Sequence, residues 1–186
     1  MRLILGITGA SGVQYGLKTL ETLISLGHEV DLVISDGARK VMEYEVSSDM
    51  SHIINSATKI HDIKNLASEI ASGTHRNSGM IIIPCSMKTI AAIANGYSDN
   101  LIQRAADCTL KENRKLVIVF RETPLNLIHL KNLVTIKEAG GIIMPAAPGF
   151  YKKPQTIDDL VDFIVAKTLN IFDINQSLMK PWNPKD

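Results

Sequence analysis

The sequence predicts an α/β protein, a three-layer α/β/α sandwich around a doubly wound, mainly parallel sheet. Three observations support this fold class. Short apolar runs alternate with helical patterns along the chain, and polar turns follow most of the apolar runs. The first two runs and the helix between them form a β-α-β unit of about thirty residues, the building block of parallel sheets. The 186 residues suit one compact domain spanning 1–186.

The N-terminal unit is the clearest part of the pattern. Residues 2–7 form a short apolar run closed by a glycine-rich turn, which is typical of a buried strand. Residues 13–26 carry one apolar stripe at helical spacing, and Gly27 follows where a helix commonly ends. A second strand is expected at 29–35. Asp36 is then expected to cap the next helix.

The same alternation continues toward the C-terminus. We expect further strands at residues 59–63, 80–84, 115–120 and 142–144, the first of them at a sheet edge. We expect helices over 37–44 and 48–54, up to 94, over 99–112, through His129 to about 138, and after Thr156. Thr156 and Asp159 have the spacing of a capping box. Residues 174–186 have few core residues of their own, so we expect this tail to dock on a neighbouring subunit.

The turn at residues 6–12 is a candidate anion site. It joins the first strand to the N-terminus of a helix, where free N–H groups and the positive end of the helix dipole attract anions. Its glycines fall at positions 6, 9 and 12, which is not the dinucleotide spacing G-x-G-x-x-G. The turn is therefore compatible with a mononucleotide ligand. The hydroxyl of Ser11 suits either a phosphate contact or a helix cap.

The other polar turns share one edge of the predicted sheet. They follow successive parallel strands, whose carboxyl ends form the side on which α/β folds bind ligands. Their backbone N–H groups, their hydroxyls, Lys88, Arg121 and Tyr151 suit a phosphorylated ligand. We find none of the common metal, P-loop or nucleophile-elbow motifs, so we expect a metal-free site.

Composition narrows the functional classes. The net charge of +1 favours neither a nucleic-acid partner nor an acidic membrane surface. No apolar run approaches the roughly 20 residues that cross a bilayer. Cys85 and Cys108 form no C-x-x-C pair, and because the first residues are typical of a strand we expect no leader segment. We therefore expect a cytoplasmic protein with reduced thiols.

Taken in order, seven motifs resemble the flavin prenyltransferase family, whose members are UbiX-like proteins. The resemblance covers nearly the whole chain. The motifs are Thr8-Gly9-Ala10-Ser11-Gly12, 84–89 (PCSMKT), 100–107 (NLIQRAAD), 110–112 (LKE), 121–126 (RETPLN), 128–130 (IHL) and 145–151 (PAAPGFY), the last leading into 159–163 (DLVDF).

The resemblance implies a Rossmann- or flavodoxin-like fold in a homo-oligomer, commonly a dodecamer. It implies transfer of a dimethylallyl group from dimethylallyl monophosphate to reduced FMN, without a metal. The prenylated FMN would serve a UbiD-like decarboxylase. The implied flavin-binding residues are Gly9, Ala10, Ser11, Ser35, Ser86, Met87, Lys88, Thr89 and Arg121. The implied prenyl phosphate site contains Lys111, Arg121, Tyr151 and Lys167.

The resemblance also implies catalytic groups. Lys111 and Glu122 are expected to act on the leaving phosphate, and Ser11 and Glu45 are candidates for proton transfer. Trp182 matches a tail tryptophan near the site. Some members carry an aromatic residue ahead of the third core strand where this chain has Leu66, a difference that bears on the shape of the prenyl pocket.

Three other functions compete with this one. A flavin-dependent cysteine decarboxylase would need a histidine near the flavin, and His75 is the one histidine near a suitable turn. A non-catalytic flavin carrier would leave Lys111, Glu122 and Lys167 without a shared role. An NAD-binding protein rests on Asp36 alone.

Overall fold

A computed structural model describes residues 1–47 and 49–179 of the chain. Ser48 and residues 180–186 lie outside the described residues, so the predictions for Trp182 and for the end of the tail fall outside them as well.

The centre of the described structure is a six-stranded sheet in which every neighbouring pair is parallel. The strands are β1 (Arg2–Ile7), β2 (Glu29–Ile34), β3 (Lys59–His61), β4 (Gly79–Cys85), β5 (Lys115–Phe120) and β6 (Ile142–Pro145). Their order across the sheet is β3-β2-β1-β4-β5-β6. This is the Rossmann order, and it reverses direction between β1 and β4, where such folds open a ligand crevice at the carboxyl ends of the strands.

Helices cover both faces of the sheet. They are α1 (Val13–Ser25), α2 (Asp36–Glu45), α3 (Ser51–Asn55), α4 (Met87–Ala94), α5 (Leu101–Lys111), α6 (Leu127–Glu138) and α7 (Ile157–Asn170). A short 3₁₀ helix, Glu69–Ala71, precedes β4. Buried residues of α1 and α7 belong to one apolar cluster, and those of α4, α5 and α6 belong to another. The predicted three-layer α/β/α sandwich is therefore confirmed.

The strands separate the two clusters because successive side chains of a strand point to opposite faces. Leu3, Leu5 and Ile7 of β1 belong to the α1–α7 cluster, whereas Ile4 belongs to the other. β1, β4 and β5 are buried on both faces, which explains why they read as continuous apolar runs.

Several element ends differ from the sequence prediction. Ser35, and not Asp36, caps α2, because the Ser35 hydroxyl accepts the N–H of Ala38 at 3.1 Å and Asp36 is already helical. Asn100 likewise caps α5, which begins two residues later than expected. β3 is shorter than predicted and ends at His61. The capping box of Thr156 and Asp159 is confirmed at the start of α7.

Within the described residues, none of the helices combines the length and the apolar character that a membrane crossing requires.

Candidate active site

A cleft of about 390 Å³ opens at the carboxyl ends of β1, β2 and β4, at the point where the strand order reverses. Five of the predicted flavin-contacting residues line it, namely Gly9, Ser35, Ser86, Lys88 and Thr89. Thr8, which opens the predicted turn, lines it as well. So do Gly37, Lys64, Asp99 and Asn100, which were not among the predicted site residues. Asp99 is predicted to be helical, but the structure places it before α5, in the wall of the cleft.

The N-terminus of α4 faces this cleft with groups that suit an anion. Ser86 caps the helix, and its hydroxyl accepts the N–H of Thr89 at 3.4 Å and lies 3.2 Å from the Thr89 hydroxyl. The Lys88 side chain is exposed beside them, whereas Met87 points into the core. The remaining free N–H groups of a first helical turn, two hydroxyls and one cation are groups that suit a phosphate.

The N-terminus of α1 is arranged differently. Gly12 is its N-cap residue, with a φ of 99° that favours glycine, and no side chain of the turn caps the helix. Glu45, at the end of α2, supplies the missing acceptor. Its Oε2 accepts the N–H of Gly12 at 2.8 Å and that of Val13 at 3.2 Å. A carboxylate of the chain itself therefore occupies the position where the sequence suggested an external anion, and Ser11 is left exposed next to it.

Two consecutive residues join the turn after β1 to its neighbours. The Thr8 hydroxyl donates to the Pro84 carbonyl at 3.0 Å and accepts the N–H of Ser86 at 2.7 Å. Gly9 contacts the turn after β2, where a Cβ atom on Gly9 would lie 2.9 Å from the carbonyl carbon of Gly37. Glycine is required there, because a side chain would push the two turns apart.

A second set of predicted residues follows β5 and β6 along the same edge. Arg121 is exposed, and it is close enough to α1 for its charge to lower the pKa of Tyr15, which burial raises more strongly. Glu122 is half-buried, and its Oε1 accepts the N–H of Thr123 at 3.0 Å. Tyr151 is 53% exposed and packs edge-to-face on Phe163, with ring centroids 5.9 Å apart.

Lys111 and Lys167 lie at the opposite end of the sheet. Lys111 ends α5, pairs with Glu112 at 2.8 Å and lies beside Gly73 in the loop that leads into β4. Lys167 lies in the last turn of α7, where the neighbouring carbonyl of Ile171 accepts a hydrogen bond from Lys115, the first residue of β5. A strand of six residues is about 20 Å long. A single chain therefore does not bring these two lysines to the cleft.

None of the described histidines lines this cleft. His75 and His61 both bond Asp31, at 3.1 and 3.0 Å, and Arg2 takes both oxygens of that buried carboxylate. Burial raises the pKa of Asp31, but these hydrogen bonds outweigh it and hold the pKa at about 2. His129 lies in the first turn of α6.

The remaining reactive groups are engaged in packing. Asp31, His61 and Glu69 are close enough to share a metal ion, but Lys59 takes both Glu69 oxygens as Arg2 takes those of Asp31. These candidate metal ligands therefore serve to join β1, β2 and β3.

Burial raises the pKa of the Cys85 thiol, so this thiol stays protonated and does not act as a nucleophile.

Comparisons with known proteins identify relatives of the chain. A family model described as Flavoprotein matches residues 1–169. The chain is 46% identical over 182 residues to the flavin prenyltransferase UbiX of Thauera aromatica, covering 98% of this chain and 94% of that protein. A crystal structure of AnUbiX (PadA1) in complex with FMN and dimethylallyl pyrophosphate is 43% identical, with a TM-score of 0.95 over 98% of this chain and 97% of that one. A dodecameric FMN-dependent UbiX-like decarboxylase from Escherichia coli O157:H7 is 41% identical, also with a TM-score of 0.95, over 98% and 100% of the two chains.

Proposed function

The chain belongs to the flavin prenyltransferase family of flavoproteins, and from that membership we propose that it joins a dimethylallyl group from dimethylallyl monophosphate to N5 and C6 of reduced FMN. The observation that carries the proposal is the cleft at the strand-order reversal, where five of the implied flavin-binding residues come together. Neither a flavin carrier nor an NAD-binding protein accounts for the family membership. A cysteine decarboxylase would need a histidine near the flavin, but His75 bonds Asp31.

The flavin phosphate is proposed to bind at the N-terminus of α4, against Ser86, Lys88 and Thr89. The alternative position, at the N-terminus of α1, is already filled by the Glu45 carboxylate, which would repel a phosphate. The ring system then lies toward Gly9, Ala10 and Ser11, with Ser35 on the far side of the cleft. This arrangement leaves Ser11 and Glu45 beside the ring for proton transfers.

The residues after β5 and β6 are proposed to bind the prenyl phosphate and assist its departure. Without a metal ion, cations must stabilise the charge that develops on the leaving phosphate. Arg121, Lys111 and Lys167 supply that charge, Tyr151 donates to a phosphate oxygen, and Glu122 supplies a proton. Reduced flavin contributes an electron-rich ring that attracts the cationic allyl fragment.

We infer that the protein acts as a homo-oligomer and, from its likeness to the dodecameric UbiX-like structure, that it is a dodecamer. Two observations support the association of copies. Lys111 and Lys167 reach a cleft only if a second copy presents its opposite end to it. In addition, α6 buries Leu133 and Ile136 but leaves Leu127, Leu130 and Val134 exposed by 65%, 46% and 55%. Exposed apolar side chains grouped on one helix are typical of a protein–protein contact.

The product is proposed to pass to a UbiD-like decarboxylase in the cytoplasm, as the family membership suggests. The proposal is tested by anaerobic incubation of the full chain with reduced FMN and dimethylallyl monophosphate, followed by mass spectrometry of the extracted flavin. We expect a gain of one prenyl unit. A parallel reaction with the diphosphate reports which donor is preferred. Tightly bound but unchanged flavin in both reactions would overturn the proposal in favour of a carrier.

A further inference from the structure

Thr8 occupies the junction between the two turns on either side of the strand-order reversal. Thr8 is 2% exposed at the carboxyl end of β1, and it contacts Pro84 near the end of β4 and Ser86, the residue that follows β4. The chain segments that meet there are 76 residues apart in sequence.

The proton of the Thr8 hydroxyl is used by the chain itself. The hydroxyl donates to the Pro84 carbonyl and accepts the N–H of Ser86 at 2.7 Å. The backbone N–H of Thr8 donates to the same Pro84 carbonyl at 3.1 Å. The Thr8 hydroxyl therefore has no proton left to donate to a phosphate, and its effect on phosphate binding is indirect.

The residue that Thr8 holds is the N-cap of α4. Ser86 directs its own hydroxyl to the N–H of Thr89, so its backbone orientation sets the direction of the first turn of α4. On the other side, the contact of Gly9 with Gly37 fixes the distance to the turn after β2. Consecutive residues of one strand end thus determine the positions of both cleft walls.

We propose that Thr8 is a positioning residue that holds the N-terminus of α4 in the orientation that binds the flavin phosphate. This inference rests on the proposed function. The replacement Thr8→Val keeps the shape of the side chain but leaves the Ser86 N–H without its acceptor. Thr8→Ser keeps the hydroxyl and is the matched control.

The test compares FMN with riboflavin, which lacks the phosphate. Dissociation constants for both are measured by quenching of flavin fluorescence, with wild type, Thr8→Val and Thr8→Ser. We expect Thr8→Val to bind FMN about tenfold more weakly, the effect of one lost hydrogen bond, with riboflavin binding unchanged. Thr8→Ser should retain the wild-type preference for FMN.

The outcomes separate the two proposals. If wild type itself shows no preference for FMN over riboflavin, the proposed flavin site is wrong and the role of Thr8 falls with it. If wild type shows the preference and Thr8→Val keeps it, or if Thr8→Val weakens the binding of FMN and riboflavin equally, Thr8 has only a structural role and this inference is overturned. Thr8→Ala, which leaves space for a water molecule, carries the same comparison if the valine variant does not fold.

Discussion

The Glu45 carboxylate caps a helix whose N-cap residue, Gly12, lies 33 residues before it, and it accepts the N–H of Gly12 at 2.8 Å. This contact joins the end of α2 to the start of α1 and provides the acceptor that no side chain of the glycine turn supplies. We expect Glu45→Ala to lower the free energy of unfolding by about 1 kcal/mol, the usual effect of losing a charged helix cap. Urea denaturation measures it, with Glu43→Ala, an exposed residue of the same helix, as the control. Equal stability of the two variants would show that the cap contributes nothing.

Glu122→Gln should separate binding from chemistry. The amide keeps the size of the side chain and an oxygen for the N–H of Thr123, but it has no carboxyl proton to give to a leaving phosphate. We expect FMN to bind with wild-type affinity while the rate of prenylation falls by about 100-fold, in the range of lost general acid catalysis. Flavin titration and single-turnover kinetics measure the two quantities. Full activity of this variant would remove Glu122 from the mechanism.

The placement of Lys111 predicts that two inactive variants complement each other. If Lys111 and Glu122 of one site come from different copies, then unfolding and reassembling Lys111→Ala with Glu122→Gln in equal amounts restores sites in which both residues are native. Random mixing should return about a quarter of wild-type activity.

The matched control for this experiment mixes Arg121→Ala with Glu122→Gln. These neighbours follow the same strand and belong to one copy, so no mixed site is intact and the mixture should stay inactive. Equal inactivity of both mixtures would contradict the shared site.

The exposed face of α6 predicts an effect on assembly. Leu130→Glu combined with Val134→Lys places two charges on the apolar surface, and we expect the oligomer to dissociate into smaller species. Size-exclusion chromatography with light scattering measures the mass. Leu26→Lys, at a residue of similar exposure outside α6, is the control and should leave the mass unchanged. An intact oligomer in the double variant would show that another surface holds the copies together.

Asp31 predicts how stability depends on pH at the acidic end. Its folded pKa of about 2 lies below the ordinary value of 3.8, so the folded state binds this proton less readily than the unfolded chain. The ionised Asp31 carboxylate therefore contributes about 2 kcal/mol to the free energy of unfolding. This contribution is fully present above about pH 4 and is lost as the pH falls through 2. Urea denaturation between pH 2 and 5 should show this slope in wild type and a shallower one in Asp31→Asn. Parallel curves would contradict it.

Local sequence patterns predicted the elements whose determinants lie within a few residues. The first β-α-β unit depends on apolar spacing and on Gly27, and the capping box of α7 on Thr156 and Asp159, so both were predictable. The start of α2 was not, because Ser35 and Asp36 are adjacent residues that can each cap a helix, and only the backbone path selects Ser35.

The site was predicted unevenly for a related reason. The turns that follow parallel strands lie at one edge of the sheet, so a sequence-based strand assignment is enough to bring Gly9, Ser35 and Ser86 together, and all three line the cleft. The cap formed by Glu45 and the junction at Thr8 depend on contacts between residues 33 and 76 positions apart, which no local pattern encodes. Asp99 is predicted to be helical because Asp99 and Asn100 are adjacent residues that can each cap a helix, and only the backbone path selects Asn100.

The strand order has a consequence during synthesis. β1 pairs with β2 on one side, but its other side waits for β4, which leaves the ribosome after both. At ordinary elongation rates the interval is on the order of several seconds, during which an apolar strand presents an unpaired edge in the cell. During this interval a chaperone or a neighbouring polypeptide can pair with β1 in place of β4. The Thr8–Pro84 contact in the cleft wall forms only after β4 has paired with β1.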